Sequence, residues 1–177
     1  MKLIIISLSF YICLFTSNVF SQKIAVINIV NLIDNNVIYN EMLKDMELNQ
    51  KKFLNKFNIK ENELKSLLEE IEESKLILSE NEINLKIFDY NNQLSEFTMQ
   101  VEKFNFHYQN EINIMKEFIL KEILILLEKY AIKNNIDLIL DSNSYLIAST
   151  SLDITNLINK ELDNISLKLE YKNFENN

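Results

Sequence analysis

The chain has 177 residues, 47% of them hydrophobic and 25% charged, with a formal charge of −8 and no Gly, Pro or Trp. That apolar content is too high for a disordered acidic polymer, and the length suits one domain with an elongated extension. The negative balance removes any general attraction to nucleic acid or anionic surfaces, and the absence of Gly removes phosphate-cradling loops and dinucleotide fingerprints. There is no Arg and only three Ala, against abundant Asn and Ile. This is codon bias toward AT, and it makes Asn the expected occupant of positive-φ positions.

Residues 1–21 read as a signal peptide. Lys2 is a minimal basic region, 3–15 is an apolar core, and Val19 and Ser21 are small residues at the −3 and −1 positions of a cleavage site. A membrane anchor is the alternative, but the apolar core is short of the roughly 20 residues of a bilayer span. Cys13, the one cysteine, lies in this segment, and Phe10, Tyr11 and Ile12 before it match a lipidation signal poorly. The mature chain then has no thiol chemistry and no disulfide, which suits an oxidising compartment where stray thiols are a liability. Cleavage removes one Lys and no acid, so the mature charge is −9.

"KIAVINI", 23–29, is a β-branched run and reads as a strand, followed by a turn or single helical turn to residue 36. Residues 22–36 form the first part of a small body. Residues 37–133 read as a helical hairpin. Its first helix carries Leu43, Met46, Phe53, Phe57, Leu64, Leu67, Ile71 and Leu78 at three- and four-residue steps, interrupted by Gln50, Lys60 and Ser74. The reversal is expected near 74–82, where Ser79 and Glu82 form a capping-box pair. A helix continuous through this region is the alternative.

The second helix carries the sharpest pattern. Ile83, Ile87, Tyr90, Leu94, Phe97, Val101, Phe104 and Tyr108, then Met115 and Phe118, form a coiled-coil seam broken only at Glu111. A helix of about 55 residues is about 80 Å long, too long for any core this chain can build, so the two helices are expected to pair as an antiparallel arm. From 116 to 132 the apolar residues become nearly continuous, which predicts that the root of the arm enters the body. Asn134 and Asn135 supply a left-handed C-cap.

Residues 134–163 form the second part of the body. "IDLILD" and "SYLIAS", 136–141 and 144–149, read as a hairpin of two strands, and "SLDITNLINKEL" starts a last helix capped by Asp153 or Thr155. The expected fold class is α+β: an N-terminal strand plus a C-terminal β-hairpin, with a long antiparallel helical hairpin between them. Ile24, Val26, Ile27, Leu138, Leu140, Tyr145 and Ile147 are the candidate body residues. So small a sheet is marginal alone, and subunits sharing sheet edges would complete it. Residues 164–177 remain as a C-terminal tail with no element assigned.

No catalytic constellation, cofactor motif or metal-ligand set stands out. His107 is the only histidine and reads as a surface or seam residue without a task, and the carboxylate pairs read as solvated charge, so no enzymatic activity is expected. The seam leaves Phe88, Met99, Phe106 and Ile112 unaccounted for. Such side chains either pack beside the first helix or offer non-directional apolar contact to a partner.

"KIAVINIVNLI" behind a signal peptide, a long helical hairpin, and "IDLILDSNSYLIASTSLDIT" together resemble the OmpH/Skp family of periplasmic chaperones, over 23 to about 162. The matching block is 136–141, 145–148 and 153–155. The resemblance implies a homotrimer whose strands combine into a central β-body. It implies helical arms around a cavity that hold unfolded outer-membrane β-barrel proteins without ATP and prevent their aggregation. Family members are often basic, with cationic arm tips proposed to meet lipopolysaccharide or membrane. This chain is acidic, with six Glu against Lys65 and Lys75 over 61–75, so that contact is not carried over. The rival reading is a structural coiled-coil spacer or adaptor of the cell envelope with one fixed partner.

Overall fold

A computed structural model describes residues 22–174, and the expected signal peptide, residues 1–21, lies outside them. The chain runs β1 (Ile24–Ile27), α1 (Ile29–Asp34), α2 (Val37–Ser74), α3 (Glu80–Asn134), β2 (Leu138–Asp141) and α4 (Thr155–Asp163), with short 3-10 turns at Ser142–Ser144 and Thr150–Leu152. The class is α+β, mostly helical, with the strands contributed by both ends of the chain.

Each helix start has a chemical reason. Asn28 accepts from Asn31 N–H at 2.9 Å to open α1, and the buried Asn36 accepts from Tyr39 N–H at 3.0 Å to open α2. At Ser79 the Glu82 carboxylate reaches back, accepting from the Ser79 backbone N–H at 2.9 Å and from its hydroxyl at 2.6 Å. These bonds, the Ser79 hydroxyl first, hold Glu82 below the usual carboxylate range. The cap ends the reversal, and residues 75–79 are the tip of the arm. At the far end of α3, Asn135 takes φ 52 and ψ 50, and Ile136 N–H bonds Ala131 C=O at 2.9 Å. This is a helix stop of the Schellman type with Asn where Gly is usual.

β1 and β2 pair in parallel, Ile24 opposite Leu138 through Ile27 opposite Asp141. The crossover between them is the entire arm. The opposite edge of β1 is met by the end of the "LDIT" block, where Ile154 N–H bonds Val26 C=O at 3.0 Å and Asn28 N–H bonds Thr155 Oγ1 at 2.9 Å. Thr155 thus ties α4 to β1 rather than capping its own helix, while Asp153 Oδ1 accepts from Thr155 N–H at 2.8 Å. Asp141 performs a similar tie on the other side. Its carboxylate accepts from Asn143 N–H at 3.0 Å and from Ile29 N–H at 3.2 Å. The Asn143 bond, opposed by burial and aided by Ile29, keeps Asp141 below the usual carboxylate range.

The second strand of the expected C-terminal hairpin is corrected. Residues 145–149 form no strand within the chain, and Leu146 and Ile147 are 100% and 92% exposed. The apolar alternation is present, but both neighbouring positions on β1 are already taken by β2 and by the Asp153–Ile154 segment. A strand without a partner has nowhere to send its backbone hydrogen bonds except water. Of the other body residues, Val26 and Ile27 are buried, Leu140 and Tyr145 are half-buried, and Ile24 and Leu138 are exposed.

Candidate functional site

The arm is held by rings. Phe57 meets Phe97 and Phe104 edge-on at 6.0 and 5.2 Å, and Phe53 lies 5.8 Å from Phe104. Phe104 also meets Tyr108 at 4.9 Å. Edge-to-face packing of this kind adds to plain area burial. Nearer the tip the contacts turn polar. Lys60 Nζ bonds Gln93 Oε1 at 2.9 Å, and Lys86 pairs with Glu70 at 2.6 Å. Lys60, which interrupts the apolar pattern of α2, is therefore a cross-arm contact.

Along α3, Ile83, Phe104 and Tyr108 are buried, and Ile87, Tyr90, Phe97 and Val101 are half-buried against α2 or the core. Leu94 lies at the exposed margin of the stripe. Phe118 departs from the expected seam and is exposed, with Ile119 buried in its place. From Glu111 the buried positions are Met115, Ile119, Ile123 and Leu127, every fourth residue rather than alternating three and four. A four-residue step drifts around a 3.6-residue helix, so the buried face moves around α3 to meet α1, α4 and β2 as the helix enters the body.

Phe88, Met99 and Phe106 stand outside that stripe and are exposed, Phe88 at 66% and Phe106 at 76%. Ile112 differs from them: it is half-buried against the core. Leu76 and Ile77 at the tip, and Leu48, Leu54, Ile59 and Leu85 along the arm, add to the exposed apolar surface. The arm therefore presents scattered apolar side chains among solvated charges. Among the described residues no group of three or more His, Cys, Asp or Glu is placed to hold a metal, and no helix is long and apolar enough to cross a membrane.

The sequence reading missed one feature. The tail after α4 runs back along the arm as an ordered strap. Leu167 and Leu169 are buried in the core, and Ile165, Tyr171 and Phe174 pack against it. Tyr171 Oη donates to Asp45 Oδ2 on α2 at 2.8 Å and accepts from Asn49 Nδ2. Burial, with Asp45 beside it, raises the Tyr171 phenol above its ordinary value. On α3, the buried Glu111 accepts from Lys172 N–H at 2.9 Å, and His107 Nε2 lies 2.8 Å from Lys172 C=O, to which it donates. Phe174 N–H reaches Tyr108 Oη at 3.5 Å, and its ring meets Phe53 and Phe104 edge-on at 5.3 and 5.4 Å. His107 and Glu111 thus have a partner in the strap. The signal available in the sequence was Glu111 itself, a carboxylate at a seam position beside the only histidine.

These features can be set beside known proteins. Residues 23–162 match the family model described as outer membrane protein (OmpH-like). The fold is similar to the crystal structure of an OmpH-like outer membrane chaperone candidate from Caulobacter crescentus CB15, with a TM-score of 0.62 at 9% identity, covering 87% of this chain and 92% of that one. A search of curated protein sequences finds no match. The strap beyond residue 162 lies outside the family match. With strand, arm and returning strand all inside the matched region, the chain belongs to the OmpH-like family.

Proposed function

We propose that the chain is an ATP-independent periplasmic holdase that binds unfolded outer-membrane β-barrel proteins between helical arms and keeps them from aggregating. The observation that carries this reading is the exposure of Phe88, Met99 and Phe106 on a long solvated arm, outside the stripe that packs α3 against α2. Burying an exposed Phe against a client contributes about 1.5–3 kcal/mol. Such contact needs no client sequence, only apolar surface, which an unfolded barrel strand presents at every second residue. Several weak contacts spread along an arm favour capture without a fixed fit, and sequestering the unfolded chain draws it away from aggregation.

Assembly as a homotrimer is the second half of the proposal. Leu146 and Ile147 of the 145–149 segment are exposed, as are Ile24 and Leu138 on the strands and Phe118, Leu124 and Ile132 at the arm root. Exposed apolar side chains on the body and arm root suit an interface, and sister subunits are the partners that would complete the sheet. A body closed by three chains aims three arms in one direction and encloses a cavity.

The test is light scattering of a denatured β-barrel membrane protein diluted with and without the mature chain. Suppression at one assembly per client is expected, weakened in the Phe88→Ser/Phe106→Ser variant. A spacer with one fixed folded partner would leave aggregation untouched. Sedimentation of the mature chain at micromolar concentration is expected to give three times the chain mass, and a monomer would refute the shared body.

A further inference from the structure

The strap has a pattern of its own. Ile165, Leu167, Leu169 and Tyr171 turn toward the hairpin, while Ser166, Lys168, Glu170 and Lys172 face solvent. Alternation at every second residue is the signature of an extended chain, yet among the described residues no strand pairs with it. It is seated by two kinds of contact. The alternate side chains join the core at the arm root, Leu167 and Leu169 buried in one cluster with Met115, Tyr108 and Phe104, and Ile165 and Tyr171 packed against it. Glu111, His107 and Tyr108 bind main-chain atoms, the N–H and C=O of Lys172 and the N–H of Phe174. Main-chain contacts do not read side-chain identity. Together these are the elements by which extended peptides are recognised: backbone bonds for affinity and pockets at alternate positions for pattern.

We propose that the α2–α3 root groove is a binding site for an extended segment of alternating apolar residues, held in the resting chain by its own strap and yielded to a segment of an unfolded barrel. A transmembrane β-strand has the same two-residue alternation as the strap. This rests on the holdase reading for the identity of the client. The tether gives the strap an effective concentration of about millimolar. A stray peptide in dilute solution therefore loses to it, whereas a client already confined between arms reaches a comparable local concentration. The strap acts as a threshold that admits captured clients and refuses passing peptides.

The test uses the full mature chain and a fluorescent peptide of the strap sequence, ISLKLEYKNF, beside an isomer with its apolar residues gathered in one half. Anisotropy titration of the Leu167→Ser/Leu169→Ser variant is expected to give binding of the alternating peptide at least about tenfold tighter than wild type, because the tethered competitor is lost. The gathered isomer is expected to bind about tenfold more weakly or worse. Equal affinity of wild type and variant, or equal binding of both peptides, overturns the proposal.

A second measurement removes dependence on the variant's folding. The mature chain has no cysteine, so a spin label at Ser166→Cys, on the solvent face of the strap, reports its mobility in an otherwise native chain. Added denatured β-barrel protein is expected to mobilise the label. If aggregation is suppressed while the label stays immobile at saturating client, the groove proposal fails and the holdase reading stands. If aggregation is not suppressed by any form, the holdase reading fails, and the peptide titration still decides for or against the groove.

Discussion

Phe104 and Phe106 are two residues apart on one helix and should behave as opposites. Phe104 is buried where the two helices and the strap meet, with the rings of Phe53, Phe57, Tyr108 and Phe174 at 5.8, 5.2, 4.9 and 5.4 Å. Phe104→Ala removes a buried ring and leaves a cavity walled by four aromatic groups, at a cost of about 3–5 kcal/mol. Those partners lie on three different segments, so local collapse cannot easily refill the space. Phe106→Ala removes a side chain that is 76% exposed, and the expected change is within about 0.5 kcal/mol. With a urea slope of about 2 kcal/mol/M, Phe104→Ala lowers the midpoint by about 1.5–2.5 M and Phe106→Ala hardly moves it. Urea unfolding followed by far-UV circular dichroism, at one fixed chain concentration because assembly couples to stability, measures both. Client capture should rank them the other way once Phe104→Ala is assayed below its unfolding range. Equal midpoint shifts for the two variants would refute this account of the α3 faces.

Asp141 is held below the ordinary carboxylate range in the folded chain, chiefly by Asn143 N–H, so its contribution is present at neutral pH and is lost as pH falls through the folded value. Asp141→Asn is expected to cost about 1 kcal/mol at neutral pH, discounted for solvent, and to flatten the acid limb of a stability–pH curve. Tyr171 has the opposite sign. Its phenol is raised above 10.0, so its contribution is present below that value and is lost as pH rises through the folded one. The strap should therefore loosen in alkali, read as label mobility at Ser166→Cys, and Tyr171→Phe should abolish that alkaline step. Asn135, at φ 52, should accept Gly with little change, whereas Asn135→Val is expected to cost about 1–2 kcal/mol in thermal unfolding.

Much of this fold was legible because helical period is a local property. The α2 and α3 stripes, the Ser79–Glu82 cap and the left-handed Asn135 each depend on residues within a turn or two of one another. The pairing of the two chain ends was legible for a different reason: neither strand has a partner nearby in sequence, so each needs the other. Two readings failed where tertiary context decides. An alternating three- and four-residue step places Phe118 on the seam, but the root of α3 packs against the body as well as α2, and the buried positions there fall at every fourth residue. The 145–149 run has strand composition and no strand partner, because β1 offers two edges and both are occupied.

The strap shows the limit most clearly. Its two-residue alternation points to an extended chain with one buried face, but alternation alone does not name the surface it covers. That surface is split between α2 and α3, more than fifty residues from the strap in the chain, and it exists only after the arm has closed. Glu111 is the residue that links the two. In an isolated two-helix arm a carboxylate at a buried position is a fault, since an unpaired buried charge is costly. With the strap in place it becomes the acceptor for Lys172 N–H, and its burial is accounted for. The buried carboxylate on α3 and the returning tail thus account for each other.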